Sequence, residues 1–183
     1  MRRVVLTFGL IAGGILAASM LLALPFREQI GLDRAIVVGY TTMVLAFLMI
    51  YFGVRSYRDN VAGGAVSFGR AFSVGGLITL VATACYVVTW EFVYFKVTPE
   101  YGQAYAAQAM EKARKSGASE AELAAKRKEM EEFQVMYDNP VFNAAITFLE
   151  PLPVGLLFTL LTAWIMSRPR RVGAGSGALA RAG

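Results

Sequence analysis

The chain has 183 residues, 56% of them hydrophobic, with a mean hydropathy of +0.51 and a formal charge of +5. It is more apolar than ordinary soluble domains, which run at roughly 45–50%, and its basic residues flank apolar runs instead of forming one patch interleaved with aromatics, so no nucleic-acid partner is expected. The absence of His removes the commonest general base and metal ligand, and Cys85 is the only cysteine, an inert thiol in an apolar run; zinc, haem, disulfide or Ser-His chemistry has no basis here, and no cofactor is expected.

Taken in order, the first apolar run spans residues 4–26, preceded by Arg2 and Arg3 and closed by Pro25. It is much longer than the about 7–15 apolar residues of a signal peptide's core, so it reads as a spanning helix. Gly9, Gly13 and Ala17 recur at every fourth position and predict a face that another helix approaches closely, in the bundle or in a second copy of the chain. The connection Arg27 to Arg34 reads as a tight turn, and residues 35–54 form a second span with Tyr40 and Tyr51 near its ends. The stretch YFGVRSYRDNVAGGAVSFGRAF then gathers Arg55, Arg58 and Arg70 around Asp59-Asn60 and Gly63-Gly64. It predicts a basic turn, then a short amphipathic segment at the headgroup level, with the three arginines as candidate lipid contacts. Gly63-Gly64 without a following Lys-Ser or Lys-Thr gives little support for a phosphate site.

The third span, residues 72–95, carries a small face of Gly75, Gly76, Thr79 and Thr83 suited to oppose the stripe on the first helix, and ends in Trp90, Glu91, Tyr94 and Lys96. Residues 98–139 change character, becoming rich in Ala, Glu, Lys and Gln, and predict an extramembrane helical hairpin. Thr98 is expected to cap its first helix, with Pro99 at the first position, Ser116-Gly117 to stop it, and Ser119 with Glu122 to form a capping box for the second. The fourth span, residues 142–166, contains FLEPLPVG, in which Pro151 and Pro153 disfavour a straight helix beside Glu150. Residues 1–171 are thus expected to form the transmembrane domain, and residues 172–183 a disordered tail.

The amino end, the connection between the second and third spans, and the tail together carry nine Lys or Arg against one Asp, whereas only Arg27, Arg34 and Lys96 lie near helix ends on the other face. Both termini are therefore expected in the cytoplasm, with the hairpin outside. The segments SYRDN, SFGRAF, YDNP and EPLPVGL resemble a bacterial membrane family, domain of unknown function 4199, over roughly residues 4–166. The resemblance implies a four-helix protein of the bacterial inner membrane and supplies no activity or catalytic residue.

Glu91 and Glu150 are the acidic residues inside the spans, where a carboxylate is costly unless protonated, paired or wetted. At about 1.5 Å per residue they lie roughly 8 and 16 Å from the outer face. They are the candidate intramembrane polar site, as a proton or cation relay or as structural groups, Glu150 meeting carbonyls freed by the prolines and Glu91 reaching Lys96, Tyr94 or water. The residues as a whole predict an all-α, integral membrane four-helix bundle with an extramembrane hairpin between the third and fourth spans. The leading functional expectation is a non-enzymatic scaffold or accessory subunit that holds a membrane or periplasmic protein partner, or a second copy of itself, in contact with the lipid bilayer. The alternative is a small proton- or cation-coupled transporter or channel using Glu150.

Overall fold

The structure, a computed structural model, describes residues 1–168; the tail expected to be disordered, residues 172–183, lies outside the described residues. The order is α1 (Arg2–Ala23), α2 (Arg27–Asn60), α3 (Phe68–Phe92), α4 (Tyr101–Lys115), α5 (Glu120–Tyr137), α6 (Pro140–Leu149) and α7 (Leu152–Met166), with no strand among the described residues. Among the described residues, four stretches are long and apolar enough to cross a membrane: Arg2–Phe26, Arg34–Asn60, Phe68–Val97 and Pro140–Met166.

The distribution of side chains says which solvent this bundle suits. Leu10, Leu22, Val37, Leu45, Val88, Leu157 and Leu161 face outward, while Thr79, Thr83, Thr159 and Thr162 are buried. A water-soluble protein exposing so continuous an apolar surface would associate through it. In a bilayer the tails are as apolar as leucine, so close packing of small residues and hydrogen bonds between helices hold the bundle instead.

Helix α3 is central, packing against α1, α2, α6 and α7. The predicted stripe on α1 is used inside the bundle: a side chain at Gly9 would collide with Val81, and one at Gly13 with the half-buried Cys85. The small face of α3 meets a different neighbour from the one expected. Gly75 lies against Thr159 and Ile50, and Thr79 fills the space over Gly155, so this face opposes α7 and α2, not α1. The Thr79 hydroxyl lies 3.2 Å from that of Thr159 and 3.1 Å from the Gly75 carbonyl. Around this contact Phe47, Ile50, Val54, Val74 and Ile78 are fully buried.

The connections depart from the sequence reading in three places. Arg27 to Arg34 is not a simple turn, because the chain is already helical from Arg27 and kinks at Gly31, whose φ of 67° and ψ of 168° lie in a region glycine alone tolerates readily. The separate amphipathic segment expected at residues 66–72 does not form; Phe68 to Phe72 are the first turn of α3, starting directly after the Gly63-Gly64 loop. At the far end α3 leaves through a widened turn, Val93–Val97, closed by the Thr98 N–H on the Val93 carbonyl at 2.8 Å. The Thr98 hydroxyl donates to that same carbonyl, so it does not cap a helix beginning at Pro99, and α4 starts at Tyr101.

Helices α4 and α5 pack on each other across a turn containing Gly117 at φ 83°. Ser119 and Glu122 bond reciprocally at the start of α5, the Ser119 N–H donating to Glu122 Oε2 at 2.7 Å. The fourth apolar stretch is broken into α6 and α7 at Glu150-Pro151, where Pro151 and Pro153 withhold backbone donors and stand where the new helix needs none.

Packing at the Thr79 contact is tight enough to test. Gly155→Val would drive a side chain into Thr79 and Phe47, whereas nothing lies within 4 Å of a methyl added at Gly14. In detergent, Gly155→Val is expected to lose about 1–3 kcal/mol of stability through overpacking and Gly14→Ala almost none. Equal thermal or denaturant midpoints for the two variants would contradict this packing.

Candidate functional site

Helix geometry puts residues four apart on one face, so Tyr86 and Trp90 form a ladder along the last turns of α3 that Tyr94 continues on the widened turn. Tyr101 and Tyr105 repeat the spacing on α4, and Phe133 and Tyr137 on α5. The structure folds these three faces together. Trp90 meets Tyr101 edge-on with ring centres 5.0 Å apart, Tyr94 meets Tyr137 at 5.3 Å, and Phe133 stacks on Tyr137 at 5.3 Å. Such contacts each contribute about 0.5–1.5 kcal/mol beyond burial.

Each rung of the ladder also donates one hydrogen bond. Tyr86 Oη donates to Glu150 Oε2 at 2.9 Å, Trp90 Nε1 to Tyr137 Oη at 3.0 Å, and Tyr94 Oη to Asp138 Oδ1 at 2.7 Å. The polar tips of large apolar rings are thereby satisfied where α4 and α5 cover the span ends. The start of α6 is fixed to the same layer: the buried Asn143 amide donates to the Tyr137 carbonyl at 3.1 Å and accepts from Thr147 at 3.2 Å, while Asn139 caps the helix at Val141 and Phe142. On the far side Arg27 Nη2 donates to Glu100 Oε1 at 2.8 Å, joining the beginning of α2 to the approach to α4. Burial raises the Tyr137 phenol above its usual 10.0, with the Glu150 and Glu91 carboxylates acting in the same direction, so Tyr137 stays a neutral hydroxyl at physiological pH.

Between α3, α4, α5 and α6 the layer lines a half-open cavity of about 580 Å³, with Glu150, Thr147, Gln134 and the aromatic faces on its walls. A smaller cleft of about 250 Å³ between α1, α2 and α4 holds Arg27 and shares Tyr86, Trp90, Tyr101 and Tyr105 with it.

The residues singled out from the sequence are therefore distributed over distinct places. Glu150 is on the cavity wall, and its side chain reaches across to Tyr86 instead of turning back to proline-freed carbonyls. Glu91 is not on that wall. It lies roughly 100° around α3 from Trp90, half-buried, with Oε1 lacking a hydrogen-bond partner, and the Tyr94 hydroxyl expected to serve it goes to Asp138. At the opposite end of the bundle, the nearly buried Arg58 donates to Asp59 at 2.8 Å and Arg55 lies 3.7 Å from the other Asp59 oxygen, whereas Arg70 is exposed on the first turn of α3. The aromatic residues are the part of the site that sequence reasoning passed over. Their spacing of four was the available signal.

Four helical stretches this long and apolar among the described residues are those of a multi-pass membrane protein. The chain matches the family described as protein of unknown function, DUF4199, over residues 7–168, and it belongs to that family. No curated protein and no solved structure matches it.

Two measurements probe the layer. Tyr94→Phe removes a donor to a carboxylate and is expected to cost about 1.5–3 kcal/mol, raising hydrogen exchange in α4 and α5 more than in α1; uniform exchange across the chain would contradict the assignment. The Arg27 guanidinium holds the Glu100 carboxyl below its usual 4.5 by hydrogen bonding. A depressed folded value gives stabilisation that is full above 4.5 and disappears as pH falls through the lower, folded value. Protection factors at the start of α4 should fall over that acid range in the wild type and show no such step in Arg27→Gln; identical acid profiles would exclude the pair's contribution.

Proposed function

We propose that the protein is a non-enzymatic scaffold or accessory subunit of the bacterial inner membrane. In this reading both termini are cytoplasmic, and residues 98–139 form an extramembrane hairpin inserted into a transmembrane domain of residues 1–171. The hairpin is presented to a membrane or periplasmic protein, or to a second copy of the chain. Arg55, Arg58 and Arg70 lie at the cytoplasmic headgroups.

The observation that carries this reading is the docking of α4 and α5 onto the span ends by the Trp90–Tyr137, Tyr94–Asp138 and Arg27–Glu100 bonds. A helix pair held at a fixed angle is suited to presentation, because a partner meets a surface whose ordering has already been completed. Exposed Glu111–Lys115 and Lys128–Glu132 pairs keep the rest of it hydrated. The rival reading, proton or cation transport through Glu150, needs a polar route across the bundle. The close packing of Phe47, Ile50, Val54, Val74 and Ile78 in the span interior favours the scaffold over it.

Two arms test the proposal. In a Cys85→Ser background, cysteines at Ser119 and Val61 are expected to react with a membrane-impermeant reagent from opposite sides, Ser119 in intact cells and Val61 after permeabilisation only. In proteoliposomes carrying a pH-sensitive dye, proton flux should equal that of empty vesicles. Labelling of Val61 in intact cells would overturn the orientation, and a flux abolished by Glu150→Gln would replace the scaffold with the transporter.

A further inference from the structure

The cavity of about 580 Å³ beneath α4 and α5 has a composition that selects a ligand by charge. Seven of its walls' side chains are aromatic, contributed by Tyr86, Trp90, Tyr94, Tyr101, Tyr105, Phe133 and Tyr137, and Glu150 is the charged residue among them. We propose that this cavity binds an organic cation, an amine or quaternary ammonium with an apolar body, whose charge is countered by Glu150 and whose substituents lie on the aromatic faces. The proposal is independent of whether the hairpin also holds a protein partner.

Three physical arguments converge on that class. First, Glu150 is exposed to the cavity and receives one hydrogen bond, from Tyr86, leaving most of its acceptor sites open. Glu150 lies within the candidate span Pro140–Met166, where a carboxylate is costly without a counter-charge. Arg27, which lines the adjoining cleft, places its Nη2 on Glu100. Second, the faces of Tyr and Trp are the negative side of the ring quadrupole and attract cations, most strongly where water is excluded. The same faces and Glu150 repel an anion. Third, the volume falls within the range of about 300–1,000 Å³ that drug-sized ligands occupy. Hard metal cations need about six to eight oxygen ligands, far more than one carboxylate with scattered hydroxyls supplies. The adjoining cleft of about 250 Å³, reached past the shared Tyr86, Trp90, Tyr101 and Tyr105, offers apolar lining to the body of an amphiphile.

A positively charged amine attached to an apolar body occurs both as a free amphiphile and as a lipid headgroup, and the test separates them. The full chain carrying Trp164→Phe, so that Trp90 alone reports, is placed in nanodiscs of phosphatidylglycerol and titrated with tetraphenylphosphonium. The anionic counterpart of the same shape, tetraphenylborate, and empty nanodiscs serve as controls. Saturable change in Trp90 fluorescence is expected with the phosphonium and not with the borate. Glu150→Gln should weaken it by about tenfold or more, and Tyr105→Ala by about threefold or more. Adding phosphatidylethanolamine should shift the phosphonium titration to higher concentration if the natural occupant is an amine lipid, and leave it unmoved if it is a free cation. Absence of a saturable change, equal response to the borate, or unchanged affinity in Glu150→Gln would overturn the proposal. If Glu150→Gln loses its near-ultraviolet circular dichroism, Tyr105→Ala decides, since unchanged binding there overturns it equally.

Discussion

A polar group carried into a bilayer has no water to fall back on, so each one must find its partner within the protein. Tyr86, Trp90 and Tyr94 raise that problem three times along one face of α3, and each solves it with an acceptor on an element distant in sequence: Glu150, Tyr137 and Asp138. The rest of the architecture at that end of the bundle depends on these bonds. They decide where α5 ends, how α6 enters, and that the helix pair lies over the spans with a cavity beneath it. With the Arg27–Glu100 bond and the Trp90–Tyr101 ring contact they hold α4 and α5, whose own sequences are only weakly apolar, onto the bundle.

The two ends of the molecule are thus built on different physics. Toward the arginine-rich end the helices approach through Gly75, Gly155 and the threonines around them, with side chains too small to keep the backbones apart. Dispersion and the threonine hydrogen bonds do the holding there, as is expected where lipid offers no hydrophobic drive for helices to associate. Toward the aromatic end large rings replace small ones and spaces open between them. Close packing at one end gives a rigid frame, and the frame holds an aromatic-walled chamber at the other.

How much of this the sequence carries depends on whether the signal is local. The four apolar stretches were legible because length and hydropathy suffice to mark a span, and so was the bond between Ser119 and Glu122, which needs only residues three apart. The break at Glu150-Pro151 followed from the missing backbone donors. What a sequence does not contain is which neighbour a face meets. Gly75 and Thr79 advertise a small face, but nothing in their spacing distinguishes α1 from α7. Thr98 was read as a cap because Thr-Pro often starts a helix, yet the widened turn at the end of α3 brings the Val93 carbonyl within its reach first. Glu150 was recognised as unusual, whereas its partner Tyr86, 64 residues earlier, had no local mark beyond a spacing of four shared with any interfacial belt.

The claim on which the account rests is that the aromatic layer couples the helix pair to the spans. A double-mutant cycle on Trp90→Phe and Tyr137→Phe measures it directly, because Tyr137→Phe keeps its ring and the packing lost with the Trp90 indole cancels between the two arms, leaving the one hydrogen bond between α3 and α5. A coupling energy of about 0.5–1.5 kcal/mol is predicted, from reversible unfolding in mild detergent. Strict additivity of the two single changes would contradict the account, leaving α4 and α5 adjacent to the bundle without being fixed to it.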